Sequence, residues 1–392
     1  MSDGELDVLA GAGERVPAHL ADALRGLGLI DHHVHGCFTE AIDRARFEDC
    51  LNEGSPEPMP GFMTQFDSQI GFAIRRWCAP LVGAPPLVDA NGYWAARSAL
   101  APAELNARML RAAGVEHWVI DTGFQGGTIS GLDRMAEESG APASEILRLE
   151  TMAEELMRRD TAPGDFADAF RAALVEALPR IVGVKTICAY RCGFDIDWRR
   201  PADEEVVRAV AAWIARDGEN PRLDDPLLAA FLVHAAAELG LPIQIHVGFG
   251  DRDLDLHRTN PMLLLGLLRE PSIARSSIML LHCYPYHREA GYLAQAFANV
   301  YYDIGLAINY VGARAPHVVA EALELGPFAK QLYSSDAFGV PEFHLLGSTL
   351  WRRSMGLVLG RWVADGDWSE SDAIRVARMI GADNARRAYG LG

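Results

Sequence analysis

His33 and His35 are the first residues of the chain whose types and spacing could do chemistry. They lie in Leu29-Ile30-Asp31-His32-His33-Val34-His35-Gly36, at the exit of a short apolar run over 28–30 that suits a buried strand. Side chains two apart on a strand share a face. His33 and His35 can therefore hold one metal ion through neutral imidazoles, while His32 points the other way. A lone pair of this kind is also common in packed cores, so its meaning depends on what the chain brings to it. Four more metal-capable residues close apolar runs further along: Lys185, His246 (Pro-Ile-Gln-Ile-His), His282 (Ile-Met-Leu-Leu-His) and Asp336. Each has a plain structural alternative. Lys185 would serve as an ion-pair partner, the two histidines as hydrogen-bonded core residues, and Asp336 as a helix N-cap after Ser334-Ser335.

The elements that must position these residues follow a repeating grammar. After the first strand, residues 117–123, 145–149, 181–189, 242–247, 277–281, 300–304 and 330–334 read as strands, each followed by helical sequence. Single helices are expected over 19–27, 62–81, 93–113, 343–362 and 370–389. Apolar strands alternating with helices predict a parallel sheet covered on both faces. Eight such units predict a (β/α)8 TIM-like barrel, in which residues at the C-terminal strand ends share one mouth. A doubly wound open sheet is the runner-up. It would carry a Gly-rich phosphate turn after its first strand, where this chain has His-Val-His-Gly. Residues 37–100 show no clean strand, with turn signals at 52–56 and 83–86, and read as a long insert or lid after strand one. The expected organisation is one domain over 1–392, with C-terminal helices over 340–392.

Size and charge bound the function. The chain has 392 residues, 49% hydrophobic and 23% charged, enough for one large domain. A net charge of −17 argues against nucleic acid or an anionic membrane as partner. No apolar run approaches the roughly 20 residues of a membrane span. The acidic, Gly-rich stretch 1–14 lacks the pattern of a signal peptide. The six cysteines include no Cys-x-x-Cys pair, so reduced thiols in a cytoplasmic protein are expected.

Taken together, Ile30-Asp31-x-His33-x-His35, a histidine after strand five, another after strand six and an aspartate after strand eight resemble the amidohydrolase superfamily. Within it the chain resembles the amidohydrolase 2 branch, and in particular the amidohydrolase domain of FluG/nodulin-type glutamine-synthetase-like fusion proteins. The stretches that carry the resemblance are 185–193, 244–251, 282–292 and the ending Gly381-Ala-Asp-Asn384-Ala385. The glutamine-synthetase-like half has no counterpart here. The resemblance implies hydrolysis by metal-activated water. His33, His35 and His246 would hold the ion, and Asp336 would ligate it and accept the proton of the attacking water. His282 would polarise the substrate carbonyl or bind a second ion. Imidazoles with a carboxylate suit Zn²⁺, with Mn²⁺ or Fe²⁺ as alternatives. Carbamylated Lys185 would bridge two ions, and one ion is the favoured count.

For substrate binding, Arg191 after strand four and Arg288 after strand six offer guanidinium forks for a carboxylate. Arg75 and Arg76 could add another cation. Tyr190, Tyr284, Tyr286 and Trp77 could wall the pocket. The reading is a homo-oligomeric hydrolase cleaving the amide C–N bond of a small carboxylated substrate such as a γ-glutamyl amide. A decarboxylase on the same scaffold and a non-catalytic metal-binding domain are the rivals.

Overall fold

The computed structural model describes residues 6–55, 57–124, 127–218 and 220–392. Residues 1–5 of the acidic N-terminal stretch and Pro56 of the 52–56 turn signal lie outside them. Among the described residues seven strands form one parallel sheet in sequential order: β1 (Leu29–Val34), β2 (Val115–Asp121), β3 (Ala143–Arg148), β4 (Ile181–Thr186), β5 (Ile243–His246), β6 (Ile278–Leu281) and β7 (Val300–Tyr302). Parallel neighbours need a crossover between them. Helices supply it, for example Pro102–Ala112 before β2, Phe166–Ala177 before β4 and Pro226–Glu238 before β5. The sheet is curled, in keeping with a TIM-like barrel.

The eighth strand expected over 330–334 is a hydrogen-bonded segment rather than a ladder. Gln331 bridges to Tyr302, and Leu332 N donates to Tyr302 O on β7. On the other side, His32 N donates to Tyr333 O and Asp336 N donates to His33 O. Asp31 reinforces this seam, accepting from Ser335 N at 3.0 Å and Ser335 Oγ at 2.5 Å. The segment thus links β7 to β1.

Two expected single helices are broken, for local reasons. The stretch 93–113 divides into Ala90–Ser98 and Pro102–Ala112. Pro102 has no N–H to give to a preceding turn, and Ala101 before it is held extended, at φ −65° and ψ 147°. The stretch 62–81 divides into Gln65–Asp67, Gln69–Trp77 and Ala79–Val82, with the Ser68 side chain capping the second piece through Gly71 N.

Most apolar burial lies between the sheet and its helices. A second, smaller cluster fills the sheet's concave interior, where Ile30, Val119, Ile146, Met279, Leu281 and Leu332 meet Tyr389 and Leu391 of the C-terminus. This layer floors the site described next.

Candidate active site

Strand ends carry the site, because the register aligns them. Arg148 pairs with Lys185, Lys185 with Gln244, and His246 with Leu281. His33, His35 and Asp336 converge so that one ligand atom from each lies within 4.8 Å of the others. Asp336 Oδ1 is 3.1 Å from His33 Nε2 and 3.6 Å from His35 Nε2. Its other oxygen is 3.3 Å from His282 Nε2. His282 is fully buried, yet neither of its ring nitrogens has a hydrogen-bond partner among the described residues. His246 stands beside it, with ring centroids 4.8 Å apart, and its Nε2 is 3.1 Å from Tyr190 Oη.

Three features fit a divalent cation here. Imidazole nitrogens and a carboxylate crowd one point, a buried imidazole lacks a hydrogen-bond partner among the described residues, and the Nδ1 side of each N-terminal histidine is held. His35 Nδ1 lies 3.0 Å from the carbonyl of Asp121, and His33 Nδ1 lies 2.8 Å from Gln244 Oε1. Such outer partners orient the ligating nitrogen.

Burial sets the proton states. It holds the imidazoles of His33, His246 and His282 well below their ordinary value and takes His35 down to about 3. Burial lifts Asp336 to about 6. Asp121 runs the other way. Burial would raise its carboxyl, but Arg148 and Lys185 outweigh that and hold it far below the usual range. Lys185 is itself lowered by burial, with Asp121 opposing. Its Nζ lies 2.8 Å from His33 Nε2 and 3.5 Å from Asp121 Oδ2.

The backbone is unusual at the same places. His282, Cys283 and Asp336 have φ of 69°, 51° and 49°. Non-glycine residues in this left-handed region cost of order 1 kcal/mol each, and such positions gather at functional sites.

Above these groups opens a cavity of about 460 Å³. It is lined by His35, Lys185, His246 and Asp336, and by cations (Arg46, Arg148, Arg191, Arg222) and acids (Asp49, Glu53, Asp251, Asp253). Glu53, Asn52 and Ser55 come from the segment between β1 and β2. Glu53 is pushed up to about 8 by burial and by the charges of Asp336 and Asp251.

Several sequence expectations separate at this point. Arg191 lines the cavity, 3.1 Å from Glu154. Arg288 does not line it. It is an exposed residue bound to Glu324 and Glu321, because the helix His287–Ala296 carries it away from the strand end. Tyr286 turns its hydroxyl to the Leu256 carbonyl, and Trp77 is packed near Arg76 and Arg353 beside a different surface cleft. Arg75 bonds the Val88 carbonyl and Arg76 lies over Trp77, so neither lines the cavity. Nor is His32 turned away from the layer of His33. The β1–β2 register shifts between Asp31 and Val34, breaking strict alternation. His32 sits 3.0 Å from Asp303 Oδ2 and 3.0 Å from Tyr389 Oη.

Asp121, Arg148, Gln244 and Asp303 join the site from outside the sequence expectations. Asp121 and Arg148 end β2 and β3, and a charged residue closing an apolar strand is the signal that marks them.

The chain belongs to the amidohydrolase family, whose Amidohydro_2 model matches residues 92–391. The protein fluG of Emericella nidulans is 33% identical over 242 residues, which are 58% of this chain and 28% of that protein. The chain thus matches less than a third of that relative's length. A protein from Lactobacillus casei ATCC 334, assigned as a metal-dependent hydrolase, has a similar structure: TM-score 0.79 and 27% identity, covering 93% of this chain and 95% of that one. The uronate isomerase of Bacillus halodurans C-125 shares the fold, with TM-score 0.63 and 14% identity over 95% of this chain and 96% of that one. No described helix is long and apolar enough to cross a membrane.

Proposed function

We propose that the chain is a metal-dependent hydrolase that cleaves the amide C–N bond of a small carboxylate-bearing substrate, with γ-glutamyl amides as the candidate class. The observation that carries this reading is the convergence of His33, His35 and Asp336 at the floor of a polar cavity. A divalent ion, Zn²⁺ by donor type, would there supply a water of near-neutral pKa and polarise a carbonyl. His33, His35, His246 and Asp336 would hold it. Asp336 faces the two N-terminal histidines with one oxygen and His282 with the other. It can therefore bind through one oxygen and take the proton of the attacking water on the other. Lys185 favours a single ion, because its amine is paired with the Asp121 carboxylate, 3.5 Å away.

The cavity wall suits a substrate with charges of both signs. Arg191, paired with Glu154, and Arg222 offer guanidinium donors to a carboxylate, while Glu53 and Asp251, both raised by burial, offer oxygens to an ammonium whose charge would favour their ionised form. The α-amino-acid end of a γ-glutamyl amide offers both.

The test is turnover by protein of measured Zn²⁺ content, with released amine read for γ-glutamyl amides, N-acyl amino acids and neutral amides. Turnover confined to the carboxylated amides is the expected result. Metal-loaded protein that releases no amine from any of them, or that releases CO₂ from aromatic acids instead, would overturn the assignment.

A further inference from the structure

We infer that Gln244 and Tyr389 are positioning residues that fix His33 in the tautomer able to present its Nε2 lone pair to a metal ion. The inference rests on the metal-centre reading above, but its logic is one of donors and acceptors on the page. Gln244 is fully buried in β5. Its Nε2 donates to the His32 carbonyl at 2.7 Å and to Tyr389 Oη at 2.9 Å. Reversing the amide would set its oxygen against that carbonyl, two acceptors at hydrogen-bond distance, so the orientation is fixed. Oε1 must then face His33 Nδ1, 2.8 Å away, and only a proton on Nδ1 completes that bond. Nε2 is left as the bare nitrogen.

Tyr389 closes the circuit. Its oxygen accepts from Gln244, so its own hydrogen goes to His32 Nδ1 at 3.0 Å. His32 therefore carries its proton on Nε2 and donates to Asp303 Oδ2 at 3.0 Å. Asp303 Oδ1 in turn accepts from His282 N, Gly305 N and Ser334 Oγ. Two groups face His33 Nε2, Lys185 Nζ at 2.8 Å and Asp336 Oδ1 at 3.1 Å, so the tautomer is decided on the Nδ1 side, where Gln244 leaves one choice. Tyr389, far from His33 in sequence, thus helps set the direction of a hydrogen-bond chain that ends on the first ligand.

The experiment uses the full chain labelled with ¹⁵N-histidine, first with metal removed by chelation and then titrated with Zn²⁺. Long-range proton–nitrogen spectra of the metal-free wild type should show His33 protonated on Nδ1 and His32 on Nε2. Gln244→Met, which keeps the volume, should give His33 as a mixture of tautomers and weaken Zn²⁺ binding about 10- to 100-fold. Tyr389→Phe keeps the ring packed and should weaken Zn²⁺ binding by a smaller factor, several-fold. His33 protonated on Nε2 in the wild type would overturn the inference. So would unchanged Zn²⁺ affinity in Gln244→Met, whatever its melting temperature, because that would mark the side chain as core filling. If Gln244→Met does not fold, the wild-type spectrum and Tyr389→Phe decide. Wild-type protein that shows the stated tautomers and binds no Zn²⁺ would defeat the metal-hydrolase reading alone.

Discussion

Replacing Asp121 by asparagine should be among the most damaging isosteric changes in the molecule. The carboxylate accepts from Arg148 Nε at 3.2 Å and Nη2 at 2.5 Å, lies 3.5 Å from Lys185 Nζ, and accepts from Gly123 N at 2.9 Å. Asparagine keeps the size and the Gly123 bond and removes the charge. Two buried cations, Arg148 and Lys185, then lose their nearest counter-ion. Breaking a buried pair in this way costs about 3–5 kcal/mol. Arg148 cannot shed its proton, but Lys185 can. Its folded pKa already lies below the ordinary lysine value, so between the two values the unfolded chain binds more protons. Stability rises with pH across that window and is lost again as pH falls. The substitution widens the window by pushing Lys185 further down. The deficit should therefore be smaller at about pH 9.5 than at about pH 7. The assay is urea unfolding of chelator-treated protein, comparing midpoint and slope at both pH values. A deficit below about 1 kcal/mol at neutral pH, or one that does not change with pH, would refute the role of Asp121 as shared counter-ion.

Three further outcomes are expected. His33→Ala should remove most bound Zn²⁺ and, with it, turnover, which metal analysis of the purified variant checks; full metal content would count against the site. Arg191→Ala should raise KM for carboxylated substrates well above its effect on neutral amides, whereas Arg288→Ala should leave both unchanged, since the former lines the cavity and the latter is tied to Glu324 outside it. Glu53→Gln should stabilise the metal-free protein. The folded carboxyl is raised to about 8, so the unfolded chain ionises first and wild-type stability falls as pH climbs from the ordinary glutamate value to about 8. Thermal or urea unfolding should show no gain near pH 4 and a gain of about 1–3 kcal/mol near pH 8, discounted because solvent reaches this half-buried group.

The sequence made the strand-exit histidines legible because apolar runs are easy to see and histidine is rare enough to stand out against them. His33, His35, His282 and Asp336 come together for that reason, and His246 follows through its contact with His282. Asp121 and Arg148 end β2 and β3 in the same manner, but acids and arginines are so common at element ends that position alone did not separate them. Gln244 was hidden differently. An amide inside an apolar run announces nothing until its three partners are known, and those come from residues 32, 33 and 389. Arg288 failed because closeness in sequence to a strand end is not closeness in space once a helix has begun. The eighth strand failed as a ladder because residues 330–337 divide their hydrogen bonds between β7 and β1.

That division has a thermodynamic consequence. The segment after β7 carries Asp336, while β1 carries His33 and His35, so any ion held by all three would act as a rivet across the join between the two ends of the sheet. Parting that join and releasing the ion would be the same event. Ion binding should therefore slow amide hydrogen exchange first at residues 331–337 and in β1, well before it alters the distant helices, and the tightness of the rivet would set how often the ring breathes.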